Sequence, residues 1–227
     1  MGAPLLTARG ITRAYGSFEA LAPLDLAIAR GERIALTGPN GAGKTTLLTI
    51  LAGVQAPSAG ALEWADGASS KVGWVPQRPA LYPRLTTREN LRLFAGLEGA
   101  TDAAATADAL IARADLGDFA DRRAGALSTG TMQRLNLAIA LAGSPSLLLL
   151  DEPTGTLSPD QRVRLWGWMA DLVRADDMAL LFSTQSMDEA ARNADRVLVL
   201  AQGRVLHDGP AADLDEAAFM ALLESAA

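Results

Sequence analysis

Cysteine is absent from this 227-residue sequence, which excludes a disulfide framework and thiol chemistry and leaves the redox compartment open. Lysine is nearly absent too: of 20 cationic residues only Lys44 and Lys71 are lysines, and the rest are arginines. Low lysine usage can reflect genomic composition, or it can mark Lys44 as chosen for chemistry. The single histidine, His207, has no motif around it and reads as an ordinary strand-end residue. No apolar stretch approaches the ~18–20 residues of a membrane-crossing helix. The start, Met1-Gly2-Ala3-Pro4-Leu5-Leu6, lacks a basic segment followed by a long apolar one, so no secretory signal is read and a chain inside the cell is expected. A net charge of −6 and a pI near 4.8 argue against a nucleic-acid surface. The length suits one large domain, or a domain carrying an insertion.

What is present begins with Gly38-Pro39-Asn40-Gly41-Ala42-Gly43-Lys44-Thr45-Thr46, set between the apolar run Ile34-Ala35-Leu36 and a helix-compatible segment from Leu47. It matches G-x-x-x-x-G-K-[ST] in the strand–loop–helix setting of a phosphate-binding P-loop. Three glycines let successive N–H groups converge on one concavity, with the positive end of a helix behind them. Lys44 supplies a mobile charge for the β/γ-phosphates, and the Thr45 hydroxyl is placed to hold Mg²⁺. The plain alternative is a glycine-rich turn before an ordinary helix.

Residues 5–36 read as β structure, with a strand–turn–strand signal at Arg30-Gly31-Glu32. Short strands are predicted at 61–64 and 72–75, bounded by Asp66-Gly67 and Pro76. From about 78 to 143 the character turns helical: Thr86-Thr87-Arg88-Glu89 has capping-box spacing before Leu91, Phe94 and Leu97 on one face. Further helices are predicted at 102–113 and 131–142. Leu147-Leu148-Leu149-Leu150 is a short unalternating run, as in a central parallel strand. Ser158-Pro159-Asp160 opens a helix to about 174, and 178–182 is another buried strand. Ser186-Met187-Asp188-Glu189 is a second capping box, before strands at 197–200 and 205–206 around a Gln202-Gly203 turn, and a helix at 214–223. The expected fold is α/β: a P-loop NTPase core with a mainly parallel sheet, an N-terminal antiparallel β part and an inserted helical subdomain. All of 1–227 is one domain, with 1–77 and 144–227 as the nucleotide-binding core and 78–143 as the insertion.

A P-loop needs a second acidic element. Asp151 stands at the end of a buried strand, where open α/β sheets place their ligand crevice, and Glu152 adds a carboxylate suited to accept a proton from attacking water. Alone, the pair also fits a solvated loop.

With these motifs in this order, the chain resembles the ATP-binding subunit of ABC transporters over essentially its whole length. The resemblance implies that Tyr15 stacks on adenine, where a plain strand-face tyrosine is the other reading. It implies that Gln77 reaches Mg²⁺ and the attacking water. Leu127-Ser128-Thr129-Gly130-Thr131 is similar to the family signature L-S-G-G-Q, so Ser128, Gly130 and Thr131 would close over the γ-phosphate bound by the other protomer. Thr129 and Thr131 depart from that pattern. Two further departures matter more: Gln185 stands where the family usually has histidine, and Ser158 where it usually has aspartate. Gln185 can donate a hydrogen bond but carries no charge near neutral pH.

The resemblance therefore implies an ATPase acting as a dimer, homo- or heterodimeric, on the inner face of the membrane, docked on a separate integral membrane subunit. No nucleic-acid partner is expected. The run Leu81-Tyr82-Pro83-Arg84-Leu85-Thr86 with Glu89-Asn90-Leu91 looks most like exporter subunits. The alternatives are an ATP-binding switch module with weak or partner-dependent hydrolysis, or a soluble non-transport ABC ATPase.

Overall fold

The computed structural model describes residues 4–65 and 72–225. Two sheets organise them. Strands β1 (Pro4–Tyr15), β2 (Phe18–Ala29) and β4 (Ala59–Trp64) form an antiparallel sheet in the order β2-β1-β4. The second sheet runs β5-β6-β7-β3-β8-β9. Its members are β5 (Val72–Val75), β6 (Leu147–Leu150), β7 (Ala179–Thr184), β3 (Arg33–Thr37), β8 (Arg196–Ala201) and β9 (Arg204–Pro210). The first five are parallel and β9 closes the edge antiparallel. The predicted turn at Asp66-Gly67 lies outside the described residues.

The tetraleucine of β6 shows why this sheet is buried on both sides. Successive strand side chains point to opposite faces. Leu148 and Leu150 join Leu180, Phe182, Val197 and Val199 in one core beneath the later helices. Leu147 and Leu149 join Ile34, Leu36, Leu181 and Leu198 in a second core, shared with the antiparallel sheet and with helix α1 (Lys44–Leu51). An unalternating run is thus what two cores demand.

The strand–turn–strand signal at Arg30-Gly31-Glu32 resolves differently from a hairpin. Gly31 has φ 66°, and the turn carries the chain from β2 in one sheet to β3 in the other. Between β5 and β6 run α2 (Thr87–Leu97), α3 (Ala103–Arg113) and α4 (Thr129–Ala140). The α2 capping box forms in both directions, with Thr86 and Glu89 each serving the other's backbone N–H. Leu91 is buried and Phe94 packs on the core, but Leu97 is 70% exposed, at the end of the helix where its face turns past the core. After β6 come α5 (Pro159–Asp176), α6 (Met187–Asn193) and α7 (Glu216–Ser225). His207 lies in β9, paired opposite Val199.

The sheet order does the positioning. Because β6, β7 and β3 are parallel neighbours, Leu150 sits beside Phe182, and Thr184 beside Thr37. The segments leaving their carboxyl ends meet along one edge, and Gln77, just beyond β5, joins them.

Phe182 is fully buried and packs against Trp166 of α5 at a ring-centroid distance of 4.5 Å. Phe182→Ala is therefore expected to lower unfolding free energy by about 3–5 kcal/mol, read as a lower urea midpoint with unchanged slope.

Candidate functional site

The P-loop glycines are required by close approach as much as by turning. Gly38 has φ 142°, and a Cβ there would lie 1.9 Å from the carbonyl oxygen of Leu200 in β8. At Gly43, φ 104°, a Cβ would meet the carbonyl of Ala20 at 2.7 Å. The loop is thus pressed between β8 and β2, and α1 starts at once. Gly43, its N-cap, offers no side-chain acceptor, so the first-turn N–H groups have no capping side chain and present their positive end to the edge.

Lys44 is 6% exposed and its Nζ donates to the carbonyls of Gly38 (2.7 Å) and Pro39 (3.0 Å). Burial pulls its amine below the ordinary lysine pKa, while the charges of Glu152 and Asp151 oppose that shift. Thr45 Oγ1 donates to Asp151 Oδ2 at 2.8 Å, linking the P-loop helix to the end of β6.

Asp151 is 3% exposed, so its charge must be matched by donors. The other oxygen accepts from Ser183 Oγ at 2.6 Å, and Ser183 in turn accepts the Glu152 N–H at 2.8 Å. Ser183 is fully buried on β7 and was not singled out in the sequence, although its place at the end of a strand adjoining β6 is the signal that could have found it. Glu152 has φ 47°, an uncommon conformation for a side-chain-bearing residue that turns it out of the strand direction. Its carboxylate is held on both sides: Gln77 Nε2 donates to Oε2 at 2.9 Å and Gln185 Nε2 to Oε1 at 2.7 Å. Four of the candidate elements named from sequence therefore converge through Lys44, Thr45, Gln77, Asp151, Glu152 and Gln185.

The loop beyond Gln77 is pinned by two buried asparagines. Asn136 of α4 accepts from the Ala80 N–H at 3.2 Å. Asn90 of α2 accepts from the Tyr82 N–H at 2.8 Å and donates to the carbonyls of Tyr82 and Thr86. The run 81–86 is thus built around a single side chain.

Tyr15 ends β1 at a hairpin tip, 46% exposed. Its hydroxyl bonds the Gln55 amide at 2.9 Å, and the Arg13 guanidinium lies 4.7 Å from the ring centre. The bonds to Gln55 and Arg13, with a smaller one to Thr46, hold the phenol below its ordinary pKa. That last contact places Tyr15 beside the P-loop helix.

Ser128, Gly130 and Thr131 do not join this cluster. Ser128 is the N-cap of α4 and accepts the Thr131 N–H at 3.3 Å, its hydroxyl 2.8 Å from that of Thr131. They line a separate 330 Å³ cleft with Arg134, Gln161 and Trp168, and its lining includes no P-loop residue. Gly130 lies flush against Gln161, where a Cβ would come within 2.6 Å of the amide nitrogen. Ser158 caps α5, its N–H bonded to Gln161 Oε1 and its hydroxyl to Asp160. This bond lowers the Asp160 pKa.

Among the described residues no helix is long and apolar enough to cross a membrane. None of them forms a group of three or more His, Cys, Asp or Glu side chains that could cage a metal. A cation at Thr45 and Asp151 would thus take few protein ligands, which is the habit of Mg²⁺ when phosphates and waters supply the rest.

Residues 21–155 match the ABC transporter family model. The daunorubicin resistance ATP-binding protein DrrA3 of Streptomyces coeruleorubidus is 39% identical over 219 residues, 92% of this chain and 69% of that one. The probable multidrug ABC transporter ATP-binding protein YbhF of Escherichia coli K12 is also 39% identical, but the chain spans only 38% of its length. The sulfate/thiosulfate import protein CysA of Halalkalibacterium halodurans is 37% identical over 87% of this chain and 59% of its own. Among solved structures, the dimeric bacterial ABC transporter cassette MJ0796 superposes with a TM-score of 0.81 at 27% identity, covering 91% of this chain and 98% of that one. MJ0796 has also been seen as a post-hydrolysis dimer bound to ADP and phosphate. The cluster at the sheet edge and these likenesses lead to one assignment: the chain belongs to the ABC transporter family, as an ATP-binding subunit of its ATPase class.

Proposed function

We propose that this subunit hydrolyses ATP at the edge of the parallel sheet and that Glu152 is the general base. The observation that carries this reading is the Gln77–Glu152–Gln185 bridge, which aims a half-buried carboxylate beside the Lys44 and Thr45 end of the P-loop. ATP enters with its β/γ-phosphates on the amides of residues 38–46, and Lys44 exchanges the carbonyls of Gly38 and Pro39 for phosphate oxygens. Tyr15 offers its ring to the base. Thr45 and Asp151, with Gln77 beside them, suit Mg²⁺, which when bound neutralises phosphate charge. Glu152 trades one amide donor for the attacking water and takes its proton; the water oxygen attacks the γ-phosphorus in line as the bond from that phosphorus to the β–γ bridging oxygen breaks, so ADP leaves with the bonding electrons and phosphate is released.

Ser128, Gly130 and Thr131 lie in a cleft of their own, and this supports a site completed across a dimer, each protomer's α4 N-terminus closing over its partner's nucleotide. Residues 78–143 would move as the unit that couples closure to a separate membrane subunit. We favour export: the 81–86 run, held by Asn90, is the exporter-like feature, and drug-resistance and Nod factor export proteins are among the relatives, although CysA is an importer at nearly equal identity. Co-purification from native membranes with a multi-span subunit, followed by transport assays in vesicles of both orientations, tests that direction. This reading places the protein on the inner face of the cell membrane.

Lys44→Met should bind MgATP more weakly by at least the value of a charge-assisted bond, about 1.5–3 kcal/mol, by calorimetry. The lysine also leaves a pH signature. Its folded pKa is lowered, so protonation favours the unfolded chain, and the nucleotide-free protein gains stability as pH rises through the folded pKa toward the unfolded value of 10.5. The stability difference between Lys44→Met and the parent should therefore shift toward the parent across that alkaline window. A flat difference would mean the amine is not desolvated.

Glu152→Gln keeps the size and hydrogen bonding of the base and removes its proton affinity. It should bind ATP, lose nearly all hydrolysis, and accumulate as a dimer on gel filtration with ATP. Parent-like turnover would sink the base assignment.

Gln185 favours a slower variant of the same function. Its amide cannot titrate, and a fully competent preorganised donor is worth about 10²–10³ in rate. Gln185→His should raise turnover with little change in ATP affinity, alone or with Ser158→Asp. If neither variant is faster while Glu152→Gln is inactive, Gln185 is already a competent donor.

A further inference from the structure

Glu189 on α6 fits a capping-box pattern, but the box closes on one side only. Ser186 Oγ accepts the Glu189 N–H at 3.2 Å, yet the Ser186 N–H goes to Thr184 Oγ1 at 3.1 Å instead of returning to the glutamate. The carboxylate is engaged elsewhere, by three donors from three elements. Thr154 Oγ1 at 2.5 Å and Trp166 Nε1 at 2.9 Å meet Oε1, and Thr184 Oγ1 at 2.5 Å meets Oε2. Thr154 follows Glu152 by two residues, and Thr184 immediately precedes Gln185. Trp166 belongs to α5, the helix that Ser158 caps. Both threonines are 4% exposed, so their hydroxyls have little access to water as an alternative partner.

We propose that Glu189 is the positioning residue that sets the spacing of Glu152 and Gln185, by binding the two loops that carry them, and α5, to one carboxylate. The argument rests on the reading of Glu152 as base. The local helix cap would be satisfied by a glutamate that folds back on Ser186; here that local contact is given up for a bridge across the active edge. One oxygen takes the Glu152 loop and the other the Gln185 loop, so a change at either is felt at the 2.7 Å contact between Gln185 and Glu152. The P-loop takes no bond from Glu189, so nucleotide affinity should be indifferent to it.

The test is single-turnover and steady-state hydrolysis by the whole chain, with ATP affinity measured by calorimetry on the same samples. Glu189→Ala should lower kcat by about tenfold or more while affinity stays within about twofold. Glu189→Gln should recover most of the rate: its carbonyl oxygen still accepts from Thr154 and Trp166, and the Thr184 hydroxyl can accept from its NH₂. The loss should not add to that of Gln185→Ala, since the two act through one contact. A merely structural residue would lower melting temperature without splitting kcat from affinity and without non-additivity. If Glu189→Ala does not fold, Thr154→Val and Thr184→Val each remove one arm, and each should lower kcat. Parent-like kcat in Glu189→Ala, or in both valine variants, beside an inactive Glu152→Gln overturns the Glu189 assignment alone. Parent-like kcat in Glu152→Gln overturns the base reading instead.

Discussion

A carboxylate at 3% exposure survives in a protein only if donors surround it, and Asp151 has found them on one helix and one strand. Thr45 reaches it from the start of α1 and Ser183 from the end of β7. That requirement ties the P-loop, β6 and β7 into one piece. Without the parallel order β6-β7-β3, neither hydroxyl would arrive. The same serine accepts the Glu152 N–H, so the buried acid also sets where the next one turns out.

Two charged groups of the site are satisfied within it, and this has a chemical meaning. Lys44 donates to its own loop's carbonyls, and Glu152 accepts from two glutamines. Under the proposed mechanism each of these bonds gives way to one with substrate or water: phosphate is a stronger acceptor for a desolvated ammonium than a peptide carbonyl. The cost of exchange is small, since a bond is traded for a bond.

Holding two carboxylates and a lysine at one edge asks for rigidity behind them. The two cores that divide the tetraleucine supply it from either face. Glu189 adds a polar brace, bonded to Thr154, Trp166 and Thr184 on three elements. Asn90 and Asn136 play the corresponding part in the loop beyond Gln77. At Glu189 and Asn90 a polar side chain with several partners replaces regular secondary structure as the element that defines a loop, while Asn136 holds its loop through the single bond from the Ala80 N–H.

The P-loop, the Asp151-Glu152 pair, the alternating helices and strands and the capping box at Thr86 were all legible in the sequence, because each is local. Glycine spacing, a strand-ending acid and a residue three positions from its cap need no knowledge of the rest of the chain. The hairpin-like signal at Gly31 shows the limit: local turn chemistry is the same whether the next strand joins the same sheet or another, and only burial against two cores sends β3 to the second. Leu97 matched a helical period yet faces outward, since periodicity describes one helix and exposure depends on how far its neighbours extend. Ser183 could be found only from its place on a strand adjoining β6, and Glu189 carried no such signal, for a related reason. Their partners lie 31 to 32 positions away for Ser183 and up to 35 for Glu189, and a serine or glutamate has no side-chain signature that announces a distant acceptor or donor. The sequence by itself determined which groups could handle phosphate; the strand order decided which of them meet, because a hydrogen bond needs its two atoms within about 3 Å and only the folded sheet brings them there.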